Sequence, residues 1–199
     1  IDASRINGNL TALGVVWNDD KVDAFITDVL PQVKTAEVTL RGLNDITIHV
    51  TEHETIAYVS SGGYYYNVLD NGTVANTELK VPIGNNPIIT SFEMNQNLDD
   101  LLEQYMQLTD SVQNSISEIK YTGTEENPYT ITVYMNDGNE VKASLPSFAE
   151  KILYYPDIVS QLRETKGTID LEVGVYFTPF TQTTEEDASA SADSAIPSE

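Results

Sequence analysis

The densest chemical motif in the chain is His49-Val50-Thr51-Glu52-His53, which matches the H-x-x-E-H spacing of inverted zinc proteases. That chemistry needs both imidazoles on one helix face, a turn apart. Here Ile46, Ile48 and Val50 alternate with Thr47, His49 and Thr51, a period of two that specifies a strand. In a strand, residues four apart share a side but stand about 13 Å from each other, at about 3.3 Å per residue. A zinc ion with bonds of about 2.1 Å cannot bridge that gap. Exposed strand histidines are the expectation, and no metal site is assigned. These are the chain's two histidines, so a Ser-His-Asp arrangement would have to use one of them, and no activated serine lies nearby.

Other chemistry fares no better. Asp99, Asp100 and Glu103 precede Asp110 in a helical stretch, and Glu185, Glu186 and Asp187 sit in the tail; none is joined by a second distinctive group. A solvated face explains them. A hydrolase using a carboxylate pair stays as a third class, to be tested by replacing each acid. Asn136-Asp137-Gly138-Asn139-Glu140 is superficially like a calcium loop, but it lacks the twelve-residue ligand spacing and closing bidentate Glu, so a hairpin turn is expected. No G-x-G-x-x-G, P-loop or G-x-S-x-G is present. No catalytic residue and no cofactor are assigned. Tyr64-Tyr65-Tyr66 could stack on glycans, yet successive strand residues face opposite ways, so at most two share a surface.

The 199 residues carry a formal charge of −21, which disfavours nucleic acid and anionic lipid as partners. There is no cysteine, excluding disulfide scaffolds, thiol nucleophiles and thiolate zinc sites. No apolar run approaches the ~18–20 residues that span a bilayer, and no signal peptide is visible. The first residue is Ile1 rather than Met, which leaves room for an anchor upstream.

The elements that must position any site follow from periodicity. Val22, Phe25, Ile26, Val29 and Leu30 mark one face of a helix over 19–30, capped by Asn18 and stopped by Pro31. Strands are predicted at 33–40 and 46–50 around a Gly42 loop, then at 56–60 and 64–69, with turns at Gly62-Gly63 and Asp70-Asn71-Gly72. A short strand is expected at 88–92. Leu98, Leu101, Leu102, Tyr105, Leu108 and Val112 predict a helix over 97–113. Strands follow at 117–122, 129–135 and 140–144, then a helical stretch from Phe148 to Leu162 that Pro156 kinks or splits. Thr168–Phe177 is predicted as one long strand. Beyond Phe180 the chain lacks large apolar residues, and 181–199 is expected to be a disordered acidic tail.

That last strand matters most. Ile169, Leu171, Val173, Val175 and Phe177 alternate with Asp170, Glu172, Gly174 and Tyr176, and nothing apolar follows to cover the strand's far side. It is either an edge that accepts a partner's strand or an ordinary internal or charge-protected strand.

The order of elements resembles the DivIB/FtsQ bacterial cell-division family. Pro31-Gln32-Val33-Lys34-Thr35-Ala36-Glu37-Val38 looks like the start of the second strand of a POTRA module, and Ile46-Thr47-Ile48-His49-Val50-Thr51-Glu52 like its closing strand. Ile56-Ala57-Tyr58-Val59, then Val68-Leu69-Asp70-Asn71-Gly72-Thr73-Val74, resemble the start of the family's β domain. Tyr134-Met135-Asn136-Asp137-Gly138-Asn139 and Gly167-Thr168-Ile169-Asp170-Leu171-Glu172 resemble its later segments. The acidic tail fits the Gram-positive DivIB branch. The stretch before the first helix is too short for a full POTRA module, so the chain is expected to start inside one.

The resemblance implies an α+β protein: a truncated POTRA-like unit of helix plus β-hairpin over 1–54, a β-rich domain of mixed sheet with two helices over 55–180, and the tail 181–199. It implies a single-pass membrane protein with this region outside the membrane at the division septum. It implies a non-enzymatic scaffold binding the coiled-coil proteins FtsL and DivIC (FtsB in the FtsQ branch), with penicillin-binding proteins or peptidoglycan as further partners. The implied contact residues are Leu171, Glu172, Val173, Gly174, Val175, Tyr176 and Phe177, with Arg163 and Lys166 meeting partner carboxylates. The competing reading is a cell-wall glycan-binding module using Tyr64–Tyr66.

Overall fold

The computed structural model describes residues 19–41, 45–162 and 164–181. The expectations for Asn18, for the loop at 42–44, for Arg163 and for the tail from 182 onward lie outside the described residues.

The chain begins with helix α1 (Asp19–Val29), then strands β1 (Val33–Arg41) and β2 (Asp45–Glu52), paired antiparallel as a separate two-stranded sheet. Ile26 of α1 is buried against Val33, Ala36 and Val38, with Leu30 and Ile48 packed around them. The Ala36 N–H donates to the Asp23 carboxylate at 2.6 Å, tying the helix to the strand. Phe25 and Val29, which the helical pattern assigned to the same face, are largely exposed.

The remaining strands form one eight-stranded sheet. They are β3 (Thr55–Ser61), β4 (Tyr64–Leu69), β5 (Ile88–Thr90), β6 (Ile116–Tyr121), β7 (Thr130–Met135), β8 (Glu140–Ser144), β9 (Gly167–Asp170) and β10 (Tyr176–Pro179). Their spatial order is β10-β9-β8-β7-β6-β5-β3-β4. The sheet is mixed: β3/β5, β5/β6 and β8/β9 run parallel and the other pairs antiparallel.

Register explains the core. Val59, Ile89, Ile119, Val133, Val141, Ile169 and Phe177 lie opposite one another from strand to strand. All but Phe177 are fully buried. Each such aliphatic side chain contributes about 1.5–3 kcal/mol by leaving water. Against this face pack α2 (Gln96–Tyr105), through Leu98, Leu101, Leu102 and Tyr105, and α4 (Phe148–Ile152), through Phe148 and Ile152. The next row, Thr90, Lys120, Thr132, Lys142, Asp170 and Tyr176, has polar character and points to the opposite face. This is the inward-apolar, outward-polar alternation of a half-covered sheet, with Tyr58 and Thr132 also buried on the second face.

Two long elements predicted from periodicity break. The helix expected over 97–113 divides into α2 and α3 (Asp110–Gln113). The Gln113 side-chain amide donates to the Tyr105 carbonyl at 3.0 Å, satisfying an acceptor at the broken end. Asn95 caps α2, its side chain accepting from the Asn97 N–H. The helical stretch from Phe148 splits as expected near Pro156, which takes the second position of α5 (Tyr155–Gln161), where its missing N–H costs no helical bond. The strand expected over 168–177 is instead β9, a turn over 171–175, and β10.

Candidate docking site at the sheet edge

The sheet has two edges, and they differ. Outside β4 the following chain folds back: Tyr65 bridges Leu79, Val68 bridges Val74, and the Ala75 N–H donates to the Asn67 carbonyl at 2.8 Å. Outside β10 no described strand pairs.

The alternation of β10 is fixed by its last bond. The Phe180 N–H donates to the Lys166 carbonyl at 3.0 Å, so Phe180 and Lys166 form a hydrogen-bonded pair. In an antiparallel ladder such pairs alternate. Thr178 and Tyr176 therefore turn their amides toward β9, and Phe177 turns its N–H and C=O outward. Pro179 offers an outward carbonyl but no N–H, which limits the free edge.

Gly167 lets β10 come this close. A Cβ there would stand 2.2 Å from the Thr178 carbonyl oxygen and 2.8 Å from the Phe177 ring, so only glycine fits. The Gly167 N–H donates to Asn139 Oδ1 at 3.0 Å. Asn139, 1% exposed, sits at the end of the β7–β8 turn, where Gly138 takes a positive φ of 90°. Its Nδ2 donates to Asp137 at 3.1 Å and to the Tyr155 hydroxyl oxygen at 3.3 Å, while the Tyr155 hydroxyl donates to Asp137 at 2.8 Å. Partial burial works against ionising Asp137, yet the bonds from the Asn139 backbone, Tyr155 and the Asn139 amide hold its carboxyl below the usual range. Burial, with the Asp137 charge, pushes the Tyr155 hydroxyl far up. So 136–139 is a hairpin turn, as expected, and its last residue also anchors the start of β9.

The assigned contact residues do not form one strand. Leu171 is buried, and its N–H extends the β9 ladder to the Lys142 carbonyl at 2.8 Å. Glu172 accepts from Thr130 Oγ1 at 2.7 Å and Asn127 Nδ2 at 2.9 Å. The carbonyls of Leu171 and Glu172 turn to the Lys151 ammonium at 2.7 and 2.6 Å. Hydrogen bonds to a charged donor contribute about 1.5–3 kcal/mol each, and the strand ends beside them, at Asp170. Val173 is 93% exposed, Val175 59% and Tyr176 65%. Gly174 leaves room for the Tyr176 ring, which a Cβ would meet at 3.0 Å. Phe177 packs on the core. Lys166 stands 4.0 Å from Asp137, half exposed. Arg163 lies outside the described residues.

Sequence reasoning missed Asn139, Lys151 and the steric role of Gly167. Lys151 carried one signal, a cation between the buried Phe148 and Ile152 of a short helix.

The other candidates resolve as follows. His49 is exposed on β2, and His53 follows that strand. The His53 Nδ1 bonds the Asp70 carboxylate, which also takes Lys34 Nζ at 3.0 Å. Asn71 donates to His53 Nε2 at 3.1 Å. Among the described residues no group of three or more His, Asp or Glu could hold a metal ion. The hydrogen bond from His53, then that from Lys34, holds the Asp70 carboxyl below its ordinary value. Asp99, Glu103 and Asp110 are solvent-exposed. Tyr64 and Tyr66 share the side of β4 opposite Ser61 and Val59, the Tyr66 hydroxyl donating to Glu78 at 3.2 Å.

Comparison with known proteins now bears on this geometry. Residues 57–172 match the family model described as "Cell division protein FtsQ/DivIB, C-terminal". Cell division protein DivIB of Listeria monocytogenes serovar 1/2a is 41% identical over 173 residues, covering 86% of this chain and 63% of that protein. The DivIB of Lacticaseibacillus rhamnosus is 32% identical over 180 residues, covering 90% of this chain and 63% of that one. The chain thus spans somewhat under two thirds of these relatives. The solved major extracytoplasmic domain of DivIB from Geobacillus stearothermophilus, in its trans isomer, is similar at 31% identity and a TM-score of 0.48, over 55% of this chain and 93% of that one. With its matched region running from the third strand of the molecule into the turn that Lys151 ties down, the chain belongs to the FtsQ/DivIB family of cell division proteins.

Proposed function

We propose that this chain is a non-enzymatic scaffold of the division machinery that binds the extracytoplasmic coiled-coil partners FtsL and DivIC by strand addition to β10. The observation that carries the reading is the contrast between the sheet's two edges. β4 is covered by its own following chain, whereas among the described residues β10 keeps one flank unpaired, with the Phe177 N–H and C=O turned outward. Backbone bonds along Val175–Phe177 supply register, and Val173, Val175 and Tyr176 supply apolar area. Lys166 adds steering, worth only about 0–1 kcal/mol as an exposed charge. Because the predicted 168–177 strand is split, docking on this reading uses β10 and the turn tip rather than one strand running from Leu171.

The relatives' names support a role in cell division. The membrane anchor lies upstream on this reading, and the chain outside the membrane; no helix among the described residues is long and apolar enough to cross one. The division into units 1–54 and 55–180 is supported by the two-stranded sheet ending at Glu52 and the eight-stranded sheet beginning at Thr55. A photo-crosslinking amino acid at Tyr176 should capture the coiled-coil ectodomains in dividing cells, while one at Tyr64, on the covered edge, should not. Equal capture at both positions, or capture at Tyr64 alone, contradicts the reading.

A further inference from the structure

We propose that Lys151 is a positioning residue for the docking site: its ammonium takes the carbonyls of Leu171 and Glu172, ends β9 there, and holds Val173–Tyr176 out toward a partner. This rests on the docking reading above and deepens it.

Every backbone group at the base of the turn is occupied. The Leu171 N–H goes to Lys142 and the Glu172 N–H to Asp170 Oδ1 at 2.9 Å. Both carbonyls go to Lys151. The Glu172 carboxylate is held by Thr130 and Asn127. The next three residues, Val173, Gly174 and Val175, make no described backbone hydrogen bond to the chain. The turn therefore has a tied base and an open tip. Alternation along 169–177 favours a continuous strand, in which Val173 would lie on the same face as buried Leu171 and Ile169. Two carbonyls drawn aside by one cation break that continuity and leave Val173 almost wholly in water.

The choice of a lysine is chemically specific. Among the described residues the ammonium has no carboxylate partner, in a chain whose charge is −21. Its donors are spent on two neutral carbonyls of one turn. A half-buried lysine also packs its stem, so methionine keeps the packing and removes only the donors. An ordered turn lowers the ordering cost a partner meets on docking, which is where the gain in affinity arises.

The test uses the whole chain with Lys151→Met and Lys151→Arg. Backbone 15N relaxation of residues 172–176 reads the turn, and titration with the purified FtsL–DivIC ectodomain pair reads docking. For Lys151→Met the expected result is an unchanged circular dichroism spectrum, mobile amides at 172–176, and about tenfold weaker binding. Lys151→Arg, which can still reach both carbonyls, should restore both readouts. Should the methionine variant fail to fold, Lys151→Gln, which keeps one donor group, is measured the same way and should fall between. A turn as rigid in Lys151→Met as in the unsubstituted chain overturns the proposal, and so does a mobile turn with unchanged affinity. An unsubstituted chain that binds nothing overturns the docking reading instead, and the relaxation data then judge Lys151's hold on the turn by themselves.

Discussion

Asn139 shows how much one side chain can hold together. Its carboxamide joins the β7–β8 turn, the start of α5 and the first amide of β9, and it does so while buried. Removing it leaves the buried Gly167 N–H without its acceptor, at about 1–3 kcal/mol, and takes one bond from the Tyr155 hydroxyl, which keeps Asp137, at about 1 kcal/mol more. Asn139→Ala should therefore lower the unfolding free energy by ~2–4 kcal/mol, read as a drop in urea midpoint at constant m-value. The turn itself was legible, because Asn-Asp-Gly-Asn between two alternating runs specifies a hairpin. The inward role of Asn139 was not, since its acceptor meets an amide 28 residues further on. Asp70 carries a second prediction. Its carboxyl is held below the ordinary aspartate value of about 3.9 by His53 and Lys34. A depressed native value means the stabilisation is complete above the unfolded value and is lost as pH falls through the native one. Urea midpoints measured over roughly pH 2 to 6 should show this acid loss in the unsubstituted chain and less of it in Asp70→Asn.

At the scale of elements, period-two alternation placed β3, β4, β6, β7 and β8 closely, because apolar side chains recur at every second residue toward the core. It failed where a distant group overrides local preference. Lys151 ends β9 from 20 residues away, and no pattern within 168–177 encodes that. The break between α2 and α3 is a milder case, closed by the Gln113 side chain. Nor does alternation give the spatial order, in which short β5 slots in parallel between β3 and β6. The edge hairpin yields the sharpest element-level prediction. Gly167→Ala places a methyl where the Thr178 carbonyl already sits, and backbone cannot yield as a side-chain tip can. The variant should keep the melting transition of the main core but lose amide-exchange protection at Thr178 and Phe180. Protection equal to the unsubstituted chain would contradict the packing described.

At the scale of the whole molecule, the chain is acidic, and among the described residues its eight-stranded sheet leaves the β10 edge uncovered, with an uncharged tip beside it. Val173-Gly174-Val175-Tyr176 carries no charge in a chain of −21. A partner that docks there needs apolar contacts and backbone pairing more than basic charge, so binding should depend only weakly on salt. The most direct test is a titration of the FtsL–DivIC ectodomain pair against the chain and its Val175→Pro variant. Val175 lies outside the β9–β10 ladder, is exposed, and makes no described backbone hydrogen bond. Proline there removes a donor that only an added strand would use. Unchanged melting with binding weakened about tenfold or more is the expected result; a folded Val175→Pro chain that binds as tightly as the original would contradict strand addition at this edge.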